Sequence, residues 1–169
     1  VDLAPGPETE LAVMDEMEAL YNGMGKKPVR FEKFISGYVA NRLQAAMGLE
    51  ITKLLDEGWA SAKAIDDSIK YGLANRMALM GALMKADFTG LDMMQRGMAN
   101  MTYQPPVPKD SSPTLDKLMT DGRQGVMSGA GYFDYGGMSP EELFRNRDIG
   151  LLKLKAEVEK IERETPLGA

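Results

Sequence analysis

Phe34-Ile35-Ser36-Gly37-Tyr38-Val39-Ala40-Asn41-Arg42-Leu43-Gln44 reads like half of an active site, in a chain with no histidine and no cysteine. Asn41 falls in or just beyond the first turn of a helix that begins near Gly37. Asparagine forms helix poorly, so its presence there wants a reason. An amide can donate to a substrate carbonyl and hold it, as an oxyanion stabiliser does; the plainer reading is a bond to a neighbouring loop. Lys26, Lys27, Arg30, Lys33 and Arg42 against Glu32 give residues 26–42 a net charge of +4 inside a chain of −5. Such a cluster can hold a phosphorylated ligand, or it can be a solvated strand edge protected by lysine. The chain has fourteen methionines, and Met77, Met80, Met84, Met93, Met94, Met98 and Met101 lie close together. They can fill a core, line an acyl pocket or form an adaptable subunit surface. The glycines from Gly122 to Gly131 match neither the dinucleotide nor the Walker pattern. Asp66-Asp67 and Glu141-Glu142 are neighbours in sequence, point apart on a helix, and read as solvated or capping groups.

What is missing narrows the chemistry further. Without histidine and cysteine there is no Ser-His-Asp triad, Cys-His pair, HExxH zinc site or zinc knuckle. No metal is expected. The chain reads as a domain that assists chemistry whose main catalytic groups lie elsewhere. Its 169 residues, 44% hydrophobic and 27% charged, suit one soluble domain with a small appendage. The negative net charge argues against nucleic acid and anionic membranes as partners. No apolar run approaches the ~18 residues of a membrane span. The opening Val1-Asp2-Leu3-Ala4-Pro5-Gly6-Pro7 is turn-like and lacks the basic, apolar lead of a signal peptide. The absence of cysteine fits a reducing compartment, so a cytoplasmic location is expected. Val1 in place of an initiator methionine makes the chain read as a processed product or a fragment.

Helices must position these residues. Thr9 is read as the cap of a first helix carrying Leu11, Met14, Met17 and Leu20, closed by Gly25. Lys26–Phe31 is read as a short lone strand, with Pro28 at its start. A stripe of Val39, Leu43, Met47, Ile51, Leu54 and Leu55 predicts a long helix that Gly58 closes. Ser61 caps a shorter one ending near Gly72. Residues 79–103 hold more helix, broken at Gly81 and Gly90. Gln104–Pro113 is read as an extended, proline-fixed loop, followed by a short helix around Leu115–Met119. Ser139, Pro140 and Glu142 mark the start of a last helix that runs to about Glu164. The fold class expected is all-α, with at most a remnant of sheet near residues 28–32.

Taken in order, several motifs resemble the C-terminal part of the 3-hydroxyacyl-CoA dehydrogenase family, whose helical domain is of the 6-phosphogluconate dehydrogenase C-terminal-like kind. They are Lys27-Pro28-Val29 leading to Gly37-Tyr38-Val39-Ala40-Asn41-Arg42, then Glu57-Gly58-Trp59-Ala60-Ser61 with Ile65-Asp66. Asp87-Phe88-Thr89-Gly90-Leu91-Asp92 and Gly125–Tyr135 complete the set. The resemblance implies a two-domain enzyme. Residues 1–33 would be the last helix and strand of a Rossmann NAD-binding domain. Residues 34–169 would be a helical substrate-binding and dimerisation domain. It puts the family's substrate-contacting asparagine on Asn41, with Ser36 and Lys33 beside it as substrate-binding candidates. The catalytic His–Glu pair and the NAD site would lie outside this chain, which alone would be inactive. The partners implied are an acyl-CoA substrate and a second copy in a homodimer. In the intact enzyme a hydride would pass between substrate C3 and the nicotinamide. The chain departs from the family at Ser36, where proline is frequent, at Ala82 after Met80-Gly81, where Gly-Pro is common, and at Met127, where lysine is frequent. Two alternatives stay open: a dehydrogenase of a non-CoA hydroxy acid with the same architecture, and a non-enzymatic helical interaction or acyl-binding module.

Overall fold

The computed structural model describes residues 1–167. The chain divides into two compact units, Val1–Gly48 and the remainder from Leu49. The boundary falls inside a helix.

The first unit opens with a βαβ arrangement. Strand β1 (Asp2–Leu3) leads to helix α1 (Leu11–Gly23), and strand β2 (Val29–Arg30) returns parallel to β1, with Asp2 opposite Val29 and Leu3 opposite Arg30. Parallel strands need a crossover, and α1 supplies it. The sequence places β2 but reads β1 as loop; two residues are too few to show a period. Val29 N–H donates to Val1 O (2.7 Å) and Phe31 N–H to Leu3 O (2.8 Å). Met14 of α1 is buried. Thr9 does not cap α1. Its hydroxyl accepts from Gly6 N–H at 2.9 Å and closes the preceding turn, leaving Glu10 at the cap position without a side-chain bond. After α1, Gly25 adopts φ +70°, as the sequence predicts.

Helix α2 (Tyr38–Asp56) follows the predicted stripe. Val39, Leu43 and Met47 on it are exposed, whereas Ile51, Leu54 and Leu55 are half-buried. Gly58, at φ +70°, turns the chain beyond it.

In the second unit the Ser61 hydroxyl accepts from Ala64 N–H (3.2 Å) and starts α3 (Ala62–Asp67). Gly72 does not end this helix. The chain passes through a wider π-helical segment, Ser68–Leu73, into α4 (Ala74–Thr89). Gly81 kinks α4 with φ 70° and ψ −171°, and Gly90 separates it from α5 (Leu91–Ala99). A proline-rich loop leads to α6 (Pro113–Thr120), a 3₁₀ turn over Val126–Ser128, and α7 (Pro140–Glu164). Ser139 Oγ accepts from Glu142 N–H at 3.2 Å, as the sequence signature predicts. The second unit's regular elements are all helical, so the expected all-α fold class holds. Among the described residues no helix is long and apolar enough to cross a membrane.

Candidate functional site

The turn that feeds α2 brings the sequence-predicted residues together. Tyr38 N–H donates to Ile35 O (3.0 Å). Gly37 takes φ +81°, and Tyr38 itself sits at φ 49°. A tyrosine in the left-handed region is strained by about 1–3 kcal/mol, and such strain persists only where the surroundings over-determine it. Two aromatic neighbours do so here. The Tyr38 ring meets Phe34 edge-on at 5.8 Å and Phe31 at 6.2 Å between centroids. This clasp fixes where α2 starts, and therefore where Asn41 stands in its first turn.

Asn41 is exposed, and its side chain has no hydrogen-bond partner among the described residues. The expected alternative, a bond to a neighbouring loop, is not made. Ser36 lies in the same tight turn and Lys33 in the bend before it, both exposed. The basic cluster is divided by the fold. Arg30 pairs with Asp15 and Glu18 of α1, and the Asp15 bond holds its guanidinium even more firmly protonated than usual. Lys26, Lys27, Lys33 and Arg42 make no ion pair among the described residues. The positive charge left over lies on both sides of the Asn41 turn in sequence.

The other sequence candidates carry no chemistry. The glycine loop spends its amides on itself: Gly125 N–H donates to Ala130 O and Gly131 N–H to Phe133 O, both at 2.8 Å, and Arg123 Nε donates to Gly131 O at 2.8 Å. Asp67 pairs with Lys63 one turn earlier, and Glu141 and Glu142 occupy the first turn of α7. Among the described residues no group of carboxylates could hold a metal.

A cleft of about 550 Å³ in the second unit has no warning in the sequence. Leu49, Thr52 and Asp56 of α2 form one wall and Pro105–Val107 another. Asp56 latches it. Its carboxylate accepts from Ser112 Oγ (2.7 Å) and Thr114 N–H (3.0 Å), and Ser112 is buried. These bonds, the Ser112 hydroxyl first, hold Asp56 below the usual carboxylate range. Next in sequence to two of the cleft's lining residues, Gln104 and Leu49, Tyr103 OH donates to the Glu50 carboxylate (2.9 Å), which raises the phenol's pKa. The signal is long-range, Asp56 and Ser112 being 56 positions apart in sequence.

Comparison with known proteins places this geometry. The model of the 3-hydroxyacyl-CoA dehydrogenase C-terminal domain matches residues 37–135. The chain belongs to this family. Its match begins at Gly37, the glycine of the strained turn, and so includes Asn41. Among curated relatives, the lambda-crystallin homolog of Rattus norvegicus is 37% identical over 129 residues, 72% of this chain and 40% of that protein. The probable 3-hydroxybutyryl-CoA dehydrogenase of Bacillus subtilis is 36% identical over 79% of this chain and 44% of its own length. The L-carnitine dehydrogenase of Pseudomonas putida is 31% identical over 90% of this chain and 47% of its own length. The chain thus spans less than half the length of these relatives. In fold it matches a solved 5-formyl-3-hydroxy-2-methylpyridine 4-carboxylic acid 5-dehydrogenase, described as an NAD+ dependent dismutase. The TM-score is 0.82 at 22% identity, over 94% of this chain and 51% of that one. The helical family domain expected from the sequence motifs is therefore the one present, and two of these relatives are dehydrogenases.

Proposed function

We propose that this chain is the substrate-binding and dimerisation part of an NAD-dependent 3-hydroxyacyl-CoA dehydrogenase, inactive on its own. Residues 1–33 belong to the end of a Rossmann domain and residues 34–169 to the helical substrate domain. The observation that carries the reading is Asn41: exposed, without a partner, and set in the first turn of α2 by a strained aromatic clasp. Its amide N–H donates to the oxygen on substrate C3 and holds that carbon in place. Ser36 and Lys33 flank the approach as substrate-binding residues. NAD does not fit the residues described. The two connections from a strand into a helix, β1 to α1 and β2 to α2, hold one glycine each, Gly6 and Gly37, where a dinucleotide needs G-x-G-x-x-G. The cofactor is held by another part of the whole protein. This chain alone is expected to leave NADH fluorescence unchanged at millimolar cofactor, and saturable binding would contradict that assignment.

The test of the site is Asn41→Ala in the full-length protein, with melting temperature and kcat/KM on acetoacetyl-CoA measured together. Loss of a donor that acts on developing charge lowers turnover by roughly a hundredfold or more. An unchanged melting temperature with that loss is the expected result. A destabilised protein with near-normal kcat/KM overturns the assignment.

A second reading keeps the dehydrogenase and changes the substrate to a free hydroxy acid. It is favoured by the L-carnitine dehydrogenase relative, which aligns over more of this chain than the 3-hydroxybutyryl-CoA one does. Assaying full-length protein with 3-hydroxybutyryl-CoA and with free L-carnitine and 3-hydroxybutyrate separates the two.

A further inference from the structure

Helix α7 has two apolar faces. Leu143, Val158 and Ile161 share one and are half-buried, and the helix packs against α4 and the 3₁₀ turn. On the opposite face Arg145, Ile149, Leu152, Ala156 and Glu159 recur at alternating spacings of four and three. That is the narrow seam along which two helices pair. Leu152 is 68% exposed and Ile149 46%. From Phe144 to Glu157 every residue is exposed. A bare helical stretch of this length is marginal in water unless something packs on it.

The charges along the seam identify the occupant. About Leu152 three charges before it are answered by opposite charges after it at equal or nearly equal distance. Glu141 lies as far before it as Arg163 lies after, Arg145 as far before as Glu159 after, and Asp148 is answered within one residue by Lys155. A parallel copy in register would set glutamate on glutamate and arginine on arginine, which repels. An antiparallel copy sets every one of these charges against its opposite. We infer that α7 pairs antiparallel with α7 of a second copy of this chain, with Leu152 on the two-fold axis and Arg145 of each copy facing Glu159 of the other. Arg145 has no ion pair within the chain among the described residues. The pairs that compete for its seam neighbours, Lys155–Glu159 (3.7 Å) and Arg147–Asp148 (2.7 Å), are surface-exposed and therefore weak. The helix lies outside the span 37–135 that the family model matches. The inference rests on the self-association proposed above and specifies where it occurs.

Sedimentation equilibrium of the whole 169-residue chain over micromolar concentrations tests it, with circular dichroism and a melting curve on each variant. Leu152→Glu is expected to raise the dimer dissociation constant by about tenfold or more, since like charges then meet at the axis. Arg145→Glu alone and Glu159→Arg alone weaken the dimer in the same way. The double variant R145E/E159R restores it, because reversed partners meet again only in the antiparallel register. A double variant as weak as its parents, or a dissociation constant indifferent to Leu152→Glu, overturns the pairing while leaving a dimer elsewhere on the chain. A wild-type chain that stays monomeric overturns both.

Discussion

Asp56 and Asn41 show how differently two polar residues on one helix are used. The Asp56 carboxylate is satisfied by Ser112 and Thr114, so it builds the fold. Asn41 is satisfied by nothing within the described residues, so it is free to meet a substrate. Asp56 therefore predicts a pH effect. Its folded pKa is depressed, so its stabilisation is complete above the ordinary value of about 3.9 and is lost as pH falls through the lower, folded value. Asp56→Asn is expected to lower the melting temperature by a few degrees between pH 5 and 7. That gap should begin to narrow below about pH 4 and close only once the pH falls below the lower, folded value, where the wild-type carboxylate also takes up its proton. A gap that persists unchanged at pH 2 would mean that the lost interaction is steric. The sequence exposed Asn41 because an asparagine in a first helical turn is unusual locally. It did not expose Asp56, because an aspartate near a helix end looks ordinary until the distant loop arrives to bond it.

At the scale of elements, what the sequence revealed tracks the range of the signal. Capping is local, and Ser61 and Ser139 both accept the amide bonds expected of them. Ser139→Ala is expected to cost about 1 kcal/mol, read as a shift in the urea midpoint with unchanged slope. Gly72 misled because a glycine can end a helix or lie within one; here the π-helical segment carries it through. Gly81 was legible as a break, and its backbone explains why. At φ 70° and ψ −171° it occupies a region closed to residues with a Cβ. No atom lies within 4 Å of where that Cβ would stand, so backbone strain alone opposes Gly81→Ala. The expected loss is about 1–3 kcal/mol, with the kink resisting a change to straight helix. A Gly81→Ala protein as stable as wild type would show that the α4 kink relaxes at no cost. β1 was illegible for the opposite reason: two residues acquire strand geometry only from their pairing with Val29 and Arg30.

For the molecule as a whole, the decisive quantity is apolar surface left uncovered. Met14 and Ile65 are the only large apolar side chains buried to below a tenth of their surface among the described residues. The accessible surface is 13180 Å², against about 8,200 Å² for a typical folded monomer of this mass. The excess, about 5,000 Å² on one chain, is more than the roughly 1,000–2,500 Å² that an obligate interface removes from each partner. Part of it lies on α5, where Leu91, Met94 and Met98 form an exposed line at helical spacing, with Asp92 and Arg96 paired alongside. Methionine suits such a face because it adapts to whatever covers it, while Met77, Met80 and Met84 of the same cluster are half-buried. Folding of this chain should then be coupled to association, and stability should follow mass action. Raising the concentration from about 1 to 100 μM is expected to raise the melting temperature by several degrees, because each folded chain removes exposed surface from another. Leu152→Glu should flatten that dependence without altering the melting temperature at the lowest concentration, where pairing is already lost. A wild-type melting temperature that does not move with concentration would mean that a single chain carries these faces into water and still folds.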